Sequence, residues 1–546
     1  MPLPPIINAL LKKDAHSLTE TFMDKPDLPH TIELRQTHIS YLIFTPKFVY
    51  KIKKPVDFGF LDFTTLEKRK FFCEQEVILN KRLCPDMYLD VVEIREKEGV
   101  IKLASVGFKQ GIEGDGKIVE YAVKMKRLPS EKMMDIMMKS SAVTGEMIER
   151  IAKSTAEFHK KADTSPHIAE FGKLSLIKQN TDENFSQTLL FIGKTISRER
   201  YDRIKSYVKS FFDEHSKTFE KRIEQGFIKD CHGDMHSEDI CIANGIYIFD
   251  CIEFNERFRY SDTVSDIAFL AMDLDFYNCH NLSKRFVDAY IKASKDSGVL
   301  ELLNFYKCYR AYVRGKVGGF KSEQKEVPDK EREHAIIKAK RYFYLADLYA
   351  SGGFRPTLLV ICGLTGTGKT TLARAFAEET GFKVISSDVV RKELSGIKPT
   401  EHRYEEFEKG IYTRDFTVQT YEEMMRRGEG LLQQGISVII DATFMAVRFR
   451  EMAIKLAQNV GANLCFIECA LDDATVKERL DVRMKKEGIP SDGRWEVYLK
   501  QKGQYEPPTL PSLEGGGKGK GERYFQIDTS GNVDEVKNIV LDKMFG

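Results

Sequence analysis

Residues 363–370 read Gly-Leu-Thr-Gly-Thr-Gly-Lys-Thr and follow the apolar run Thr357 to Cys362. A run of that length, opened by Pro356, is a buried strand. The segment after it, KTTLARAFAEETG, is amphipathic at helical spacing and is closed by Gly381. Strand, glycine-rich turn and helix in that order form a phosphate cradle. Gly363, Gly366 and Gly368 let backbone N–H groups face anionic oxygens, and the helix N-terminus adds partial positive charge. In the spacing G-x-x-x-x-G-K-[ST], Lys369 reaches the β and γ phosphates of a nucleotide and the Thr370 hydroxyl ligates Mg²⁺. Thr365, Thr367 and Thr371 complete the nucleotide-facing stretch. ATP and Mg²⁺ are the expected cofactors.

The alternation continues. FKVISSD, SVIIDAT and ANLCFIECA read as three more short buried strands, with a helix from about Asp415 to Gln434 and another in RFREMAIKLAQNVG. Short buried strands alternating with helices predict a parallel α/β sheet. Asp388 then falls at the carboxyl end of the second strand, where open sheets bind ligands, and is placed to accept a proton from an attacking hydroxyl. Arg391, three residues on, is placed to hold an anionic group. Asp441 ends SVIID as a Mg²⁺-holding acid. Both aspartates also suit helix caps. Arg479 and Arg483 lie at i and i+4 in KERLDVRMKKEG, where a lid helix would bring charge to a transferring phosphate; the plainer alternative is a solvated basic face. LEGGGKGKGER, 513–523, reads as a Gly/Lys-rich loop.

This half, 357–546, resembles small P-loop kinases of the gluconate kinase, shikimate kinase and chloramphenicol phosphotransferase type. The phosphate loop, SSDVVRKEL, VIIDATF and the lid arginines carry the resemblance. No guanine-reading N-K-x-D follows, which disfavours a switch GTPase.

The domain boundary is predicted near residue 353, where a helical pattern from about Asp329 ends in SGG, giving domains over 1–350 and 354–546. The first opens with strand-like alternation over 31–54, turning at Thr45-Pro46-Lys47. A helix follows over Leu66 to about Leu83, then strands near 89–95, 100–108 and 118–126, and a mostly helical remainder from 145. A sheet-rich lobe followed by a helical lobe is an α+β arrangement. CHGDMHSEDICI, 231–242, sets two histidines and three carboxylates between apolar segments, and Asp250 follows in YIFD.

HGDMHSED matches H-G-D-x-H-x-x-N in all but its last residue. It resembles the catalytic loop of aminoglycoside phosphotransferase-like kinases, over about 30–345. The resemblance implies a protein kinase-like fold. It makes Asp234 the base for an acceptor hydroxyl, and Asp239 and Asp250 the metal ligands, with Asp239 where the family has Asn. It makes Asp266 the brace of the loop, and has His232 and His236 orient loop carbonyls. Lys51 and Lys53 share a strand face; one of them, Lys51 by preference, contacts the nucleotide phosphates, and Glu76 is its ion-pair partner. YAVKMKRLP resembles the inter-lobe hinge, and IAKSTAEFHKKAD the family's helix ending in Phe-His. RQTHIS stands where the family has a Gly-rich loop. The whole chain resembles bacterial two-domain proteins that fuse such a domain to a P-loop kinase-like domain, often called AAA-family ATPases.

Composition narrows the partners. With 42% hydrophobic and 30% charged residues and a net charge of +2 over 546 residues, nothing favours a polyanion such as bulk nucleic acid. MPLPPIINALLKKDAH lacks a secretory pattern, no apolar run is long enough to span a membrane, and the ten cysteines contain no CxxC pair. A cytoplasmic protein with reduced, buried thiols is expected. The expected function is transfer of the γ-phosphoryl group of ATP to a small-molecule hydroxyl at each of two sites. The rival is regulatory: a pseudokinase first domain with an ATP-gated or zeta toxin-like second one.

Overall fold

A computed structural model describes residues 3–16, 32–105, 116–325, 327–398, 408–483, 494–507 and 522–546. The Gly/Lys-rich stretch 513–521 and the end of the predicted 100–108 strand lie outside them. The chain forms two units. The first comprises Met1–Glu183, Ser210–Asp273 and Arg285–Lys307, the second Asn184–Lys209, Leu274–Lys284 and Cys308–Gly546.

In the first unit, strands β1 (Glu33–Gln36), β2 (Ser40–Phe44), β3 (Phe48–Lys53), β4 (Tyr88–Lys97), β5 (Val100–Ser105) and β6 (Lys117–Lys126) make one sheet ordered β1-β2-β3-β6-β4-β5. Every pairing is antiparallel. The predicted turn after β2 closes by the Thr45 N–H donating to the Phe48 carbonyl at 2.9 Å. Alternation along β3 does the sorting. Tyr50 and Ile52 enter one apolar cluster with Ile43, Ile94 and Ala122. Val49 enters another with Cys73 and Val77 of the helix Leu66–Asn80. Lys51 and Lys53 share Val49's side of the pleat. That helix starts at Thr65, whose hydroxyl accepts the Lys68 N–H at 3.3 Å.

The helix Gly145–Lys161 buries Ile148, Ile151, Ala152, Thr155 and His159 along one stripe. Beyond it, β7 (Ile228–Asp230) pairs with β10 (Tyr260–Asp262). Between them lies the hairpin β8 (Ile240–Ile242) and β9 (Ile246–Ile248).

In the second unit, β11 (Thr357–Cys362), β12 (Lys383–Ser386), β13 (Val438–Asp441), β14 (Asn463–Ala470) and β15 (Glu522–Asp528) form a wholly parallel sheet ordered β12-β13-β11-β14-β15. The sequence reading found the first four of these strands and missed β15. Leu358, Val360 and Cys362 face a core with Tyr421, Met424, Phe449 and Leu456 from the helices Arg414–Leu432 and Val447–Val460. Leu359 and Ile361 face the other way, toward Leu372, Phe376, Val540 and Met544 of the helices Lys369–Thr380 and Val533–Phe545. A central strand buried on both faces explains the unbroken apolar run.

Segments from before residue 353 belong to this unit. The Asn278 amide donates to the carbonyls of Gly381 (3.0 Å) and Ser437 (3.1 Å) and accepts the Ser437 N–H at 2.7 Å. Arg341, on the helix Asp329–Ala350, donates to the Glu379 carbonyl at 2.7 Å. All ten cysteines are unpaired, and all but Cys279 are buried. Among the described residues, no helix is long and apolar enough to cross a membrane.

Candidate active sites

The glycine-rich loop of the second unit leaves the carboxyl end of β11, whose neighbours β13 and β14 run on opposite sides of it. Gly363 has φ +127°, and a Cβ there would sit 2.5 Å from the Cys469 carbonyl oxygen, so only glycine fits. The turn is closed by the Thr367 hydroxyl donating to the Leu364 carbonyl at 2.8 Å. The Lys369 ammonium donates to the same carbonyl at 2.7 Å, curling back over its own loop. The Thr370 hydroxyl donates to Asp441 Oδ2 at 2.7 Å, at the end of β13. Burial raises the Asp441 carboxyl above its usual range, against the pull of Lys369 and the Thr370 hydroxyl, with Asp388 adding to the rise. A hydroxyl and a buried carboxylate side by side are hard oxygen donors that fit Mg²⁺.

Asp388 lies in the first turn of the helix Ser387–Leu394. Arg391, expected to hold an anionic group, makes contacts within the fold. It is buried, donates to the Ile411 carbonyl at 2.7 Å and the Thr417 hydroxyl at 3.2 Å, and its guanidinium lies over the Tyr412 ring. Through Nη1 it braces local structure, while its Nε has no hydrogen-bond partner among the described residues. Arg479 lies against the loop: a Cβ on Gly368 would be 3.4 Å from its Nη1. It is fixed there by donating to the Thr529 carbonyl at 2.8 Å, and the Thr529 hydroxyl donates to the Thr367 carbonyl at 2.7 Å. Arg483 ends the same helix, Asp473–Arg483, and its side chain lies outside the described residues. The Thr365 N–H donates to Gln501 Oε1 at 2.9 Å, and Thr371 faces solvent. Sequence reasoning missed Gln501 and Thr529, since neither belongs to a motif and only folding brings them to the loop.

In the first unit, Lys51, Lys53 and Glu76 are all buried. Glu76 pairs with both lysines: Lys51 Nζ lies 2.9 Å from Oε1 as an ion pair, and Lys53 donates to Oε2 at 2.7 Å. Lys51 also pairs with Asp250, and Lys53 with Glu253. Burial alone would raise the Glu76 carboxyl, but Lys51 and Lys53 outweigh it and hold it at about 2. Burial opposes charge on Lys51 too, and Asp250 and Glu76 overcome it, so its ammonium titrates well above the usual lysine range. Asp250 sits at φ +64°, with its N–H donating to the Tyr88 hydroxyl at 3.2 Å. Glu253 was missed because an isolated acid three residues past Asp250 carries no pattern. An open groove of about 580 Å³ is lined by Phe60, Phe71, Phe72 and Phe254, with Asp62 and Lys68 among its polar groups; the aromatic density of FGFLDF and KFF was its only sequence trace.

The HGD turn is held from below. Buried Asp266 accepts the N–H groups of His232 (2.9 Å) and Gly233 (2.8 Å) and pairs with His159 Nε2 at 3.1 Å. Burial would raise its carboxyl, and these donors, His159 foremost, hold it well below the usual range. His232 behaves as expected of a loop-orienting residue: Nε2 meets the Phe249 carbonyl at 3.0 Å, and burial lowers its pKa to about 4. His236 differs. Its Nε2 faces carboxylates, Asp239 at 3.1 Å and Asp234 at 3.7 Å. Asp273 accepts the Ser237 N–H at 3.0 Å, and the Phe249 N–H closes the hairpin on the Asp239 carbonyl at 3.0 Å. The hairpin thus returns the chain beside Asp239, while the Asp250 carboxylate is taken by Lys51.

Residues 358–508 match a family model described as an AAA domain. The chain is 30% identical over 485 residues to the protein Rv2004c of Mycobacterium tuberculosis, covering 89% of this chain and 90% of that one. The protein Mb2027c of Mycobacterium bovis matches equally over the same extent. Among solved structures, a gluconokinase from Sinorhizobium meliloti is 19% identical with a TM-score of 0.25, covering 35% of this chain and 95% of that one. The Mycobacterium tuberculosis APS kinase CysC, in complex with AMPPNP and APS, is 17% identical with a TM-score of 0.25, covering 35% and 99%.

Proposed function

We propose that this chain, which belongs to the family of the mycobacterial protein Rv2004c, is an ATP- and Mg²⁺-dependent phosphotransferase with two kinase-type sites. Each moves the γ-phosphoryl group of ATP to a hydroxyl of a small molecule. The carrying observation is the phosphate loop of the second unit, with Thr370 bonded to Asp441 at 2.7 Å and Arg479 against Gly368. Loop N–H groups and Lys369 bind the phosphates, the lysine exchanging the Leu364 carbonyl for a phosphate oxygen. Mg²⁺, held by Thr370 and Asp441, would offset phosphate charge. Asp388 takes the proton of the acceptor hydroxyl, and Arg479 and Arg483 stabilise charge on the transferring group.

For the first unit we read an aminoglycoside phosphotransferase-like kinase site. Asp234 is its base, Lys51 its phosphate contact, and Asp239 and Asp250 its metal ligands. A sheet followed by helices, the Glu76 ion pairs and the Asp266 brace support that reading. We read the partners as small molecules, with neither nucleic acid nor membrane engaged, and the setting as cytoplasmic. The test incubates the full chain with ATP labelled in its γ-phosphate and a panel of small hydroxyl compounds. Label should move to at least one compound, and Lys369→Ala should stop one class of transfer. Release of free phosphate alone, unaffected by every compound, contradicts transfer.

A further inference from the structure

We infer that Glu253 is a positioning residue of the first unit's site: through its ion pair with Lys53 it keeps the Asp250 carboxylate in line for the metal once Lys51 has turned to the nucleotide. The inference rests on the kinase-site reading and deepens it with a residue which that reading leaves unused.

The charges alternate in a series. Asp250 pairs with Lys51, Lys51 with Glu76, Glu76 with Lys53, and Lys53 with Glu253. Glu76, Lys53 and Glu253 are buried. Both ends of the series lie on one short segment, 250–253, so β3 holds that segment by two ionic ties. Asp239 and Asp250 are carboxylates, hard oxygen donors that fit Mg²⁺. In the kinase-site reading Lys51 serves the phosphates and Asp250 the metal, so the tie between them opens when Mg²⁺ and nucleotide bind. The tie from Lys53 to Glu253 involves neither ligand and stays closed. Desolvation offsets most of the attraction in a buried ion pair, so a gain in stability does not by itself account for this one.

The segment needs such a tie. Asp250 has φ +64°, in the left-handed region that a residue other than glycine keeps where its surroundings fix it. The Cys251 N–H donates to the Asn80 side chain at 2.9 Å, and Asn80 ends the helix that carries Glu76. The Ile252 N–H donates to the His232 carbonyl at 3.1 Å, on the HGD turn. The segment thus touches both the helix and the turn, and the Glu253 carboxylate adds the contact with β3. Glu253→Gln keeps the side chain's shape and removes the charge that makes that contact.

The test titrates Mg²⁺ while a non-hydrolysable ATP analogue binds the full chain carrying Lys369→Ala, which removes the second unit's site. Glu253→Gln should raise the Mg²⁺ concentration for half-maximal binding about tenfold and leave analogue affinity at saturating Mg²⁺ nearly unchanged. Asp250→Asn should raise the Mg²⁺ requirement too, and adding Glu253→Gln to it should raise the requirement no further, because Glu253 acts through Asp250. Where Glu253→Gln folds poorly, Lys53→Met together with Glu253→Gln removes the pair without stranding a charge and carries the same expectations. An unchanged Mg²⁺ requirement in Glu253→Gln, or an effect that adds in full to that of Asp250→Asn, overturns the inference and leaves the kinase-site reading standing. A requirement unmoved by Asp250→Asn, or no analogue bound to the Lys369→Ala chain, overturns both.

Discussion

Gly363 and Asp266 show how single residues set these sites. At φ +127°, with a carbonyl oxygen 2.5 Å from where a Cβ would stand, Gly363 admits no side chain. Gly363→Ala should cost at least about 2 kcal/mol and lower nucleotide affinity, read as a fall in melting temperature and a weaker titration. Asp266 accepts from two backbone N–H groups and faces an imidazole. Asp266→Ala strands those donors in the interior and should cost roughly 3–5 kcal/mol, read from urea unfolding of the first unit. Gly363 was legible in the sequence because its motif is local. The bonds of Arg391 were not: its partners Ile411 and Thr417 lie 20 and 26 residues further along the chain.

Among the elements, the pairing of β3 with the helix Leu66–Asn80 carries the strongest electrostatic statement. Glu76 titrates at about 2 when folded, against a usual 4.5. A carboxyl depressed by folding contributes stability that is fully present above its unfolded pKa and lost as pH falls through the folded one. Stability of the first unit should therefore drop between about pH 4.5 and 2. In Glu76→Gln that part of the acid limb should flatten while stability at neutral pH falls, both visible in melting temperature against pH. An unchanged acid slope would contradict the assignment. Period-two alternation put Lys51 and Lys53 on one face, so this element was legible. That one glutamate takes both lysines, and that Glu253 joins them, was not, because ion-pair partners 23 and 200 residues away leave no local pattern. β15 was missed for a related reason: it follows a Gly/Lys-rich stretch, and its partner is β14, far back in the chain.

For the whole molecule, the central claim is that two separate nucleotide sites lie on one chain. The parallel sheet and its phosphate loop were readable from alternation and spacing. The make-up of the second unit was not: residues such as Asn278 join it through contacts of long sequence separation. Binding stoichiometry tests the claim without knowledge of either acceptor. Calorimetric titration of the full chain with a non-hydrolysable ATP analogue and Mg²⁺ should give two sites per chain. It should give one in Lys369→Ala and one in Lys51→Ala. A single site in the unaltered chain, abolished by Lys369→Ala and untouched by Lys51→Ala, would contradict the account.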